Sequence, residues 1–193
     1  MANIKSNVSE FLSKVAQGVK PNMFEVQINF PTVVGADNGL VNILCKSAAL
    51  PASSVGTIEV PFRGRTVKIA GDRTFDNWSA TFINDKDMKI RGYFEKWLQV
   101  INSHQGNTAQ LFNPASGNER YTADLFVTQL QKDASENGKD LRQYKLWYAF
   151  PTSVSQIDLA YDSNDQIEEF SVEFQYSYWT VEAAGAKNND AIA

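Results

Sequence analysis

Apolar and polar residues alternate along most of this chain, and at two places the spacing becomes helical. The first comes early: Val8, Phe11, Leu12 and Val15 recur at helical intervals across residues 7–18. Asn7 and Glu10 have capping-box spacing, and Gly18 and Pro21 end the pattern. In residues 22–30, Phe24, Val26, Ile28 and Phe30 point one way and Met23, Glu25, Gln27 and Asn29 the other, the pattern of a half-buried strand. Pro31 to Gly39 reads as a turn, Leu40 to Lys46 as a more apolar second strand, and residues 47–56 as an extended loop. Ile58, Val60 and Phe62 alternate around Pro61, which places that short strand at an edge or bulge. Val67 and Ile69 mark another short strand, and Phe75 to Ile83 a further one with Trp78, Ala80 and Phe82 on one face. The second helical stretch runs from about Lys86 to Ile101, where Ile90, Tyr93, Phe94, Trp97, Leu98 and Ile101 form one wide stripe. Asp85 or Asp87 is placed to cap it, and the stripe is expected to cover an open end or face of the β-core.

Beyond a polar loop over residues 102–119, Tyr121 to Leu130 reads as a strand, with Lys132 to Asp140 as a turn and Arg142 to Phe150 as the hairpin partner. Pro151 is expected to interrupt that strand, with Val154 to Tyr161 continuing it and residues 162–165 turning tightly. Gln166 to Val181 is the longest alternating run, with Phe170, Val172, Phe174, Tyr176 and Tyr178 on one side. About eight strands joined by turns argue for a mainly β fold: an antiparallel β-sandwich or flattened barrel with one flanking α-helix. The expected organisation is a helical arm at 1–20, a single β domain at 21–181 and a flexible polar tail at 182–193.

Composition narrows the function. The 193 residues carry 18 basic and 22 acidic side chains, a net charge of −4, without the basic excess of a dedicated nucleic-acid binder. One cysteine, Cys45, excludes an internal disulfide and a cysteine-cluster metal site, and its apolar neighbours suggest a packed thiol. No apolar run approaches membrane-spanning length, so no membrane anchor is expected. No constellation supports an enzyme. Glu168 and Glu169 are adjacent and face opposite sides of a strand, and Glu169 and Glu173 stand about 13 Å apart by strand rise, too far for paired-acid chemistry. Asp162, Asn164 and Asp165 lack the glycine and distal glutamate of a calcium loop. Catalytic residues, metal ligands and cofactors are therefore expected to be absent. Arg63, Arg65, Lys68 and Arg73 form the one basic cluster, readable as a contact for an acidic surface or as a solvated strand edge.

Several segments in fixed order carry a family resemblance: residues 21–26 (PNMFEV), 46–52 (KSAALPA), 70–78 (AGDRTFDNW), 151–154 (PTSV) and 161–167 (YDSNDQI), with Tyr178-Trp179 closing the set. Over roughly residues 20–180 the chain resembles the tail tube proteins of T-even-like contractile-tailed bacteriophages. The resemblance implies a fold shared with the tubes of contractile secretion systems. It implies a structural virion protein that forms hexameric rings, stacks them into the inner tail tube and conducts DNA during ejection. The implied partners are further copies of itself, the tail sheath protein, the tape-measure protein, the baseplate tube initiator, the tail terminator and DNA in transit. The implied location is the phage tail, after assembly in the host bacterial cytoplasm. In such proteins the loop after the second strand and the chain termini reach the adjacent ring. That makes Phe11, Leu12, Leu50, Pro51, Phe62, Arg63, Arg65 and Arg73 candidate inter-subunit contacts. The strand faces of Glu25, Gln27 and Asn29 and of Glu169, Glu173 and Gln175 lack Lys and Arg, so they are candidates for a lumen wall that does not hold phosphate. The loop at residues 113–118 and the tail beyond Trp179 look longer than the family minimum, so sheath contacts are not carried over. The alternatives are a baseplate tube initiator, a secretion-system tube subunit, or a carbohydrate-binding β-sandwich using the four tryptophans.

Overall fold

A computed structural model describes residues 8–16, 18–109, 121–131, 140–164 and 166–183. In chain order the elements are α1 (Val8–Ala16), β1 (Phe24–Ile28), α2 (Asn38–Ile43), β2 (Cys45–Ala48), β3 (Ser53–Phe62), β4 (Arg65–Phe75), β5 (Trp78–Ile83), α3 (Lys89–Ile101), β6 (Ala123–Leu130), β7 (Asp140–Val154), β8 (Glu169–Gln175) and β9 (Tyr178–Ala183). Seven strands form one antiparallel sheet in the order β1-β6-β7-β8-β5-β2, with β9 also on β7, while β3 and β4 pair only with each other.

The long strand β7 turns this sheet into two limbs. Its first part pairs with β6 and β9, and its last residues, from Phe150 to Val154, pair with β8. Between them Tyr148 takes a positive φ of 55°, and its N–H donates to the Asp124 carboxylate. A bulge there re-aims the strand, as bulges do where a strand passes between layers. Both limbs turn apolar side chains inward: Val26, Ile28, Leu125, Val127 and Leu146 from one, Trp78, Phe82, Phe170, Val172 and Phe174 from the other, all in one buried core.

Helix α3 closes this core. Ile90, Phe94 and Trp97 are fully buried, and the Phe94 ring lies 5.0 Å from Phe82 and 5.1 Å from Phe30. Polar tips hold the helix in place: Trp97 Nε1 donates to the Tyr121 carbonyl at 2.6 Å and Lys96 Nζ to that of Val34 at 2.7 Å. The expected stripe and its covering role are thus borne out. The helix starts three residues late, because Met88 adopts a left-handed conformation and supplies no cap. Asp85 nonetheless accepts from the Ile90 N–H at 3.1 Å, whereas Asp87 pairs with Lys89.

Other expectations are corrected. Leu40 to Ile43 is not strand but part of α2, nucleated by Asp37, whose side chain accepts from the Leu40 N–H. Only Cys45–Ala48 is extended, as β2. Residues 53–56, expected in a loop, begin a ten-residue strand, and the separate short strand around Val67 and Ile69 is part of the eleven-residue β4. The expected strand from Phe75 to Ile83 breaks at residues 76–77, between β4 and β5. Pro151 does not interrupt β7: it sits beside a register shift, where Thr152 Oγ1 donates to the Glu173 carbonyl. Residues 155–160 carry no strand, and Leu159 and Tyr161 are exposed. The long alternating run splits into β8 and β9 at Tyr176-Ser177, where the chain follows β7 around the corner. The Asn7 cap, the residue 113–118 loop, most of the 132–140 turn, Asp165 and the tail beyond Ala183 lie outside the described residues.

Candidate assembly surfaces

Among the described residues, two elements that stand off the core each leave a row of apolar side chains uncovered. The first is the β3–β4 hairpin. Every side chain of β3 is exposed, and in β4 only Gly71 and Phe75 are half-buried. Cross-strand partners share a face, so register assigns the sides. Val60 opposes Val67, Ile58 opposes Ile69 and Phe62 opposes Arg65, giving one apolar face. Glu59 opposes Lys68 in a 3.2 Å ion pair, and Thr57 opposes Ala70, giving a polar face. The five apolar residues are 42–62% exposed. Near the base Gly56 and Gly71 meet at a register shift; a Cβ on Gly71 would sit 3.1 Å from the Gly56 carbonyl oxygen, so the two arms pack backbone to backbone.

The second is α1, whose Val8, Phe11, Leu12 and Val15 are 55–71% exposed. The chain between α1 and β1 is pinned to the body: Gln129 Nε2 donates to the carbonyls of Lys20 and Met23, at 3.0 and 2.6 Å.

The expected contact residues divide accordingly. Phe11 and Leu12 lie on the bare face of α1. Phe62, Arg63 and Arg65 form the hairpin tip, where the Arg63 guanidinium stands 5.4 Å from the Phe62 ring centre; Arg73 opposes Val55 nearer the base. Leu50 is exposed, but Pro51 is buried within the chain itself and has no surface to offer. The basic cluster therefore follows a projecting hairpin, with Lys68 already paired to Glu59.

The six candidate wall residues are not brought together. Glu25 and Gln27 lie on the outward face of the β1–β6 limb, opposite Thr128 and Phe126, and Asn29 follows β1, half-buried. Glu169, Glu173 and Gln175 lie on the outward face of the β8–β5 limb, among Ser79, Thr81 and Ser171. Lys46 of β2 reaches this second face and pairs with Glu169, which the spacing along β8 could not reveal. One flat wall can present one limb or the other.

Sequence reasoning missed a polar site inside an aromatic patch. On the outward face of the first limb, Lys145 Nζ stands 3.3 Å from the Trp147 ring centre and 2.8 Å from Asp124 Oδ2, while Trp147 stacks on Tyr178 and donates to Thr180 Oγ1. The signal was the alternation Lys145, Trp147 opposite Asp124, Phe126, readable only once β6 and β7 are in register. No tryptophan forms an open platform for sugar: Trp78 and Trp97 are core, and Trp147 and Trp179 are half-buried with bonded ring nitrogens. Burial pushes the Cys45 thiol up to about 12, so it is protonated at neutral pH.

Known proteins match this chain closely. The family model for phage tail tube protein matches residues 19–182. The tail tube protein gp19 of Enterobacteria phage T4 is 36% identical over 160 residues, 83% of this chain and 90% of its own. The tail tube protein of Serratia phage KSP90 is 27% identical over 176 residues, 89% of this chain and 94% of its own. Among solved structures, a chain of the PVC extracellular contractile injection system sheath–tube complex, in its extended state, superposes with a TM-score of 0.60. It is 17% identical, over 93% of this chain and 99% of that one. A chain of the anti-feeding prophage baseplate gives the same TM-score of 0.60 at 12% identity, over 88% of this chain and 98% of that one. These two likenesses concern the fold alone.

Proposed function

The chain belongs to the phage tail tube protein family, and on that premise we propose that it is the structural subunit of the inner tube of a contractile phage tail. Its copies form hexameric rings, the rings stack, and the bore conducts DNA at ejection. The observation that carries this reading is that the subunit is incomplete alone. It holds a full aromatic core, yet leaves α1 and the apolar hairpin face in water. Isolated two-stranded ribbons and nine-residue helices are marginal in water and gain stability by packing on something else. Among the described residues the edge strands β1, β2 and β9 each have one neighbour in the sheet, so further copies can pair there.

The β8–β5 limb is the better lumen wall. Its outward face carries Ser79, Thr81, Glu169, Ser171, Glu173 and Gln175 beside a half-buried Ile83, with the Lys46 charge matched by Glu169. Hydroxyls and carboxylates leave phosphate unbound, so DNA slides rather than sticks. The aromatic patch of Trp147 and Tyr178 belongs to the other limb, which then faces outward, towards a sheath. The tape-measure protein, a baseplate initiator and a terminator are the further partners of such a tube, built in the host cytoplasm and retained in the virion. The role is mechanical rather than catalytic.

Negative-stain electron microscopy of the purified protein at rising concentration tests this. Hollow tubes or six-fold rings of uniform diameter are expected. A protein that stays monomeric, even when offered preformed tube ends, overturns it in favour of an initiator or a binding module.

A further inference from the structure

The bend in β7 sets a strained residue beside a charge pair drawn largely out of water. Between the paired couples Leu125–Leu146 and Ala123–Ala149, β6 supplies one residue, Asp124, and β7 supplies two, Trp147 and Tyr148. Tyr148 takes its positive φ of 55° there. Arg63, Met88 and Asn107 share that sign of φ, but among the described residues only Tyr148 does so inside a strand. A bulky side chain avoids this region, and it stays there only where surrounding contacts hold it. Those contacts converge on Asp124. One of its oxygens, Oδ1, accepts from the Tyr148 N–H at 3.5 Å, and the other, Oδ2, stands 2.8 Å from Lys145 Nζ. The ammonium is fixed in turn, 3.3 Å from the Trp147 ring centre and 5.5 Å from that of Phe126. Trp147 is stacked on Tyr178 at 5.8 Å, and its carbonyl accepts at 3.0 Å from the N–H of Ser177, where the chain passes from β8 to β9. One charge pair thus ties β6, β7 and β9 together at the bend.

We propose that Lys145 and Asp124 form a corner pin that holds the two limbs at one angle, and that this angle fixes how many copies close a ring. This rests on the tube reading above and adds to it which residues set ring order. The pair is built to hold. Its side chains are 14% and 27% exposed, against 67% and 56% for the Lys68–Glu59 pair on the hairpin. A charge-assisted bond so placed is stronger than a surface ion pair and is little screened by salt. The aromatic rings add cation–π attraction and keep the ammonium from swinging out to water. The load it resists is local. Tyr148 would regain an ordinary strand conformation if β7 straightened, and straightening swings the limb beyond Phe150, which pairs with β8, away from the limb of β6 and β9. A ring closes only when each copy is turned by the same angle from the last. With one limb on the bore and the other outside, the angle between limbs shapes the wedge that each copy presents to its neighbours. A fixed corner gives one ring order, and a corner free to open gives several.

Substitutions on both strands test the pin, read first in the free subunit and then in assembled rings. Lys145→Met keeps the stem against Trp147 and removes the charge; Asp124→Asn keeps an acceptor for Tyr148 and removes the charge from the other side. Each is expected to lower Tm by less than about 4 °C, because neither side chain is in the core. In the free subunit, amide exchange over residues 146–149 is expected to quicken about tenfold, while residues 125–127 hold. In electron micrographs wild-type rings are expected to share one order, and Lys145→Met rings to spread over several, with no more than about half of them six-fold. The double variant is expected to be no worse than Lys145→Met alone, since both changes break one pair. Tyr148→Gly removes the strain, because glycine takes positive φ freely, and added to Lys145→Met it is expected to restore a single ring order. Unchanged exchange at 146–149, uniformly six-fold Lys145→Met rings, additive losses in the double variant, no rescue by Tyr148→Gly, or a fall in Tm beyond about 10 °C each overturn the pin and leave the tube reading standing. A wild-type chain that forms neither rings nor tubes overturns the tube reading and the ring-order role with it, while exchange in the free subunit still reports whether the pair holds the bend.

Discussion

Phe94 has no exposure and lies between rings from both limbs: Phe30 follows β1, while Phe82, Phe170 and Phe174 belong to β5 and β8, all within 6.0 Å. Truncating it leaves a cavity that four aromatic neighbours cannot fill without leaving their own packing. Phe94→Ala is expected to cost about 3–5 kcal/mol, lowering Tm by about 10 °C in a chain of this size. Thermal unfolding followed by circular dichroism measures it; a shift below about 2 °C would mean that α3 is peripheral to the core. This residue was legible in the sequence because Ile90, Phe94 and Trp97 repeat at helical period whatever they pack against. Which carboxylate meets the helix start was not legible. Asp85 and Asp87 are equally good caps by type, and the left-handed turn at Met88 decides for Asp85.

At the scale of elements, alternation located strands well and their ends poorly. Leu40, Val41 and Leu44 fit a buried strand and a short helix alike, and Asp37 with Asn42, whose side chain accepts from the Ile28 N–H, tips the segment to helix. The run from Gln166 to Val181 keeps its period through Tyr176-Ser177, although the chain there passes from one side of β7 to another. A bend preserves which side is apolar, so periodicity cannot register it. The hairpin shows what one glycine fixes. Gly71→Ala would press a methyl against the Gly56 carbonyl and Ile58 Cγ1, at 3.1 and 3.3 Å, and part the two arms. Because the hairpin is outside the core, Tm is expected to hold within about 2 °C. Amide hydrogen exchange over residues 53–75 is expected to quicken about five- to tenfold, for a local cost of about 1 kcal/mol. Unchanged exchange would show that the arms tolerate a Cβ there.

At the scale of the whole molecule the limbs, not single residues, set the surfaces a tube needs. A lumen lined by the β8–β5 limb predicts a change that leaves assembly intact and alters transport. Ser171→Lys with Glu173→Lys places two cations per subunit on that face, outside the core, where Ser171 bonds Thr81 Oγ1 at 3.1 Å. Tubes are expected still to form. Polymerised with a short DNA duplex, they are expected to retain it at about 50 mM salt and release it at about 200 mM, an affinity loss of roughly 10³-fold or more if six or more phosphates are neutralised. Wild-type tubes are expected to retain none at either. Variant tubes that retain no DNA at low salt would place this limb away from the bore.

The sequence by itself determined the β-rich architecture, the covering helix, the amphipathic character of α1 and the family, because each is written in local order: period, residue type, or motif spacing along 19–182. The tertiary structure alone decided that Glu25 and Glu173 lie on different limbs and that Pro51 is buried while its neighbour Leu50 is exposed. Those are relations between residues far apart in the chain. They are set by the register of β7 against β6, β8 and β9 and by the bulge at Tyr148, which turn one sheet into two limbs and assign every outward side chain its direction.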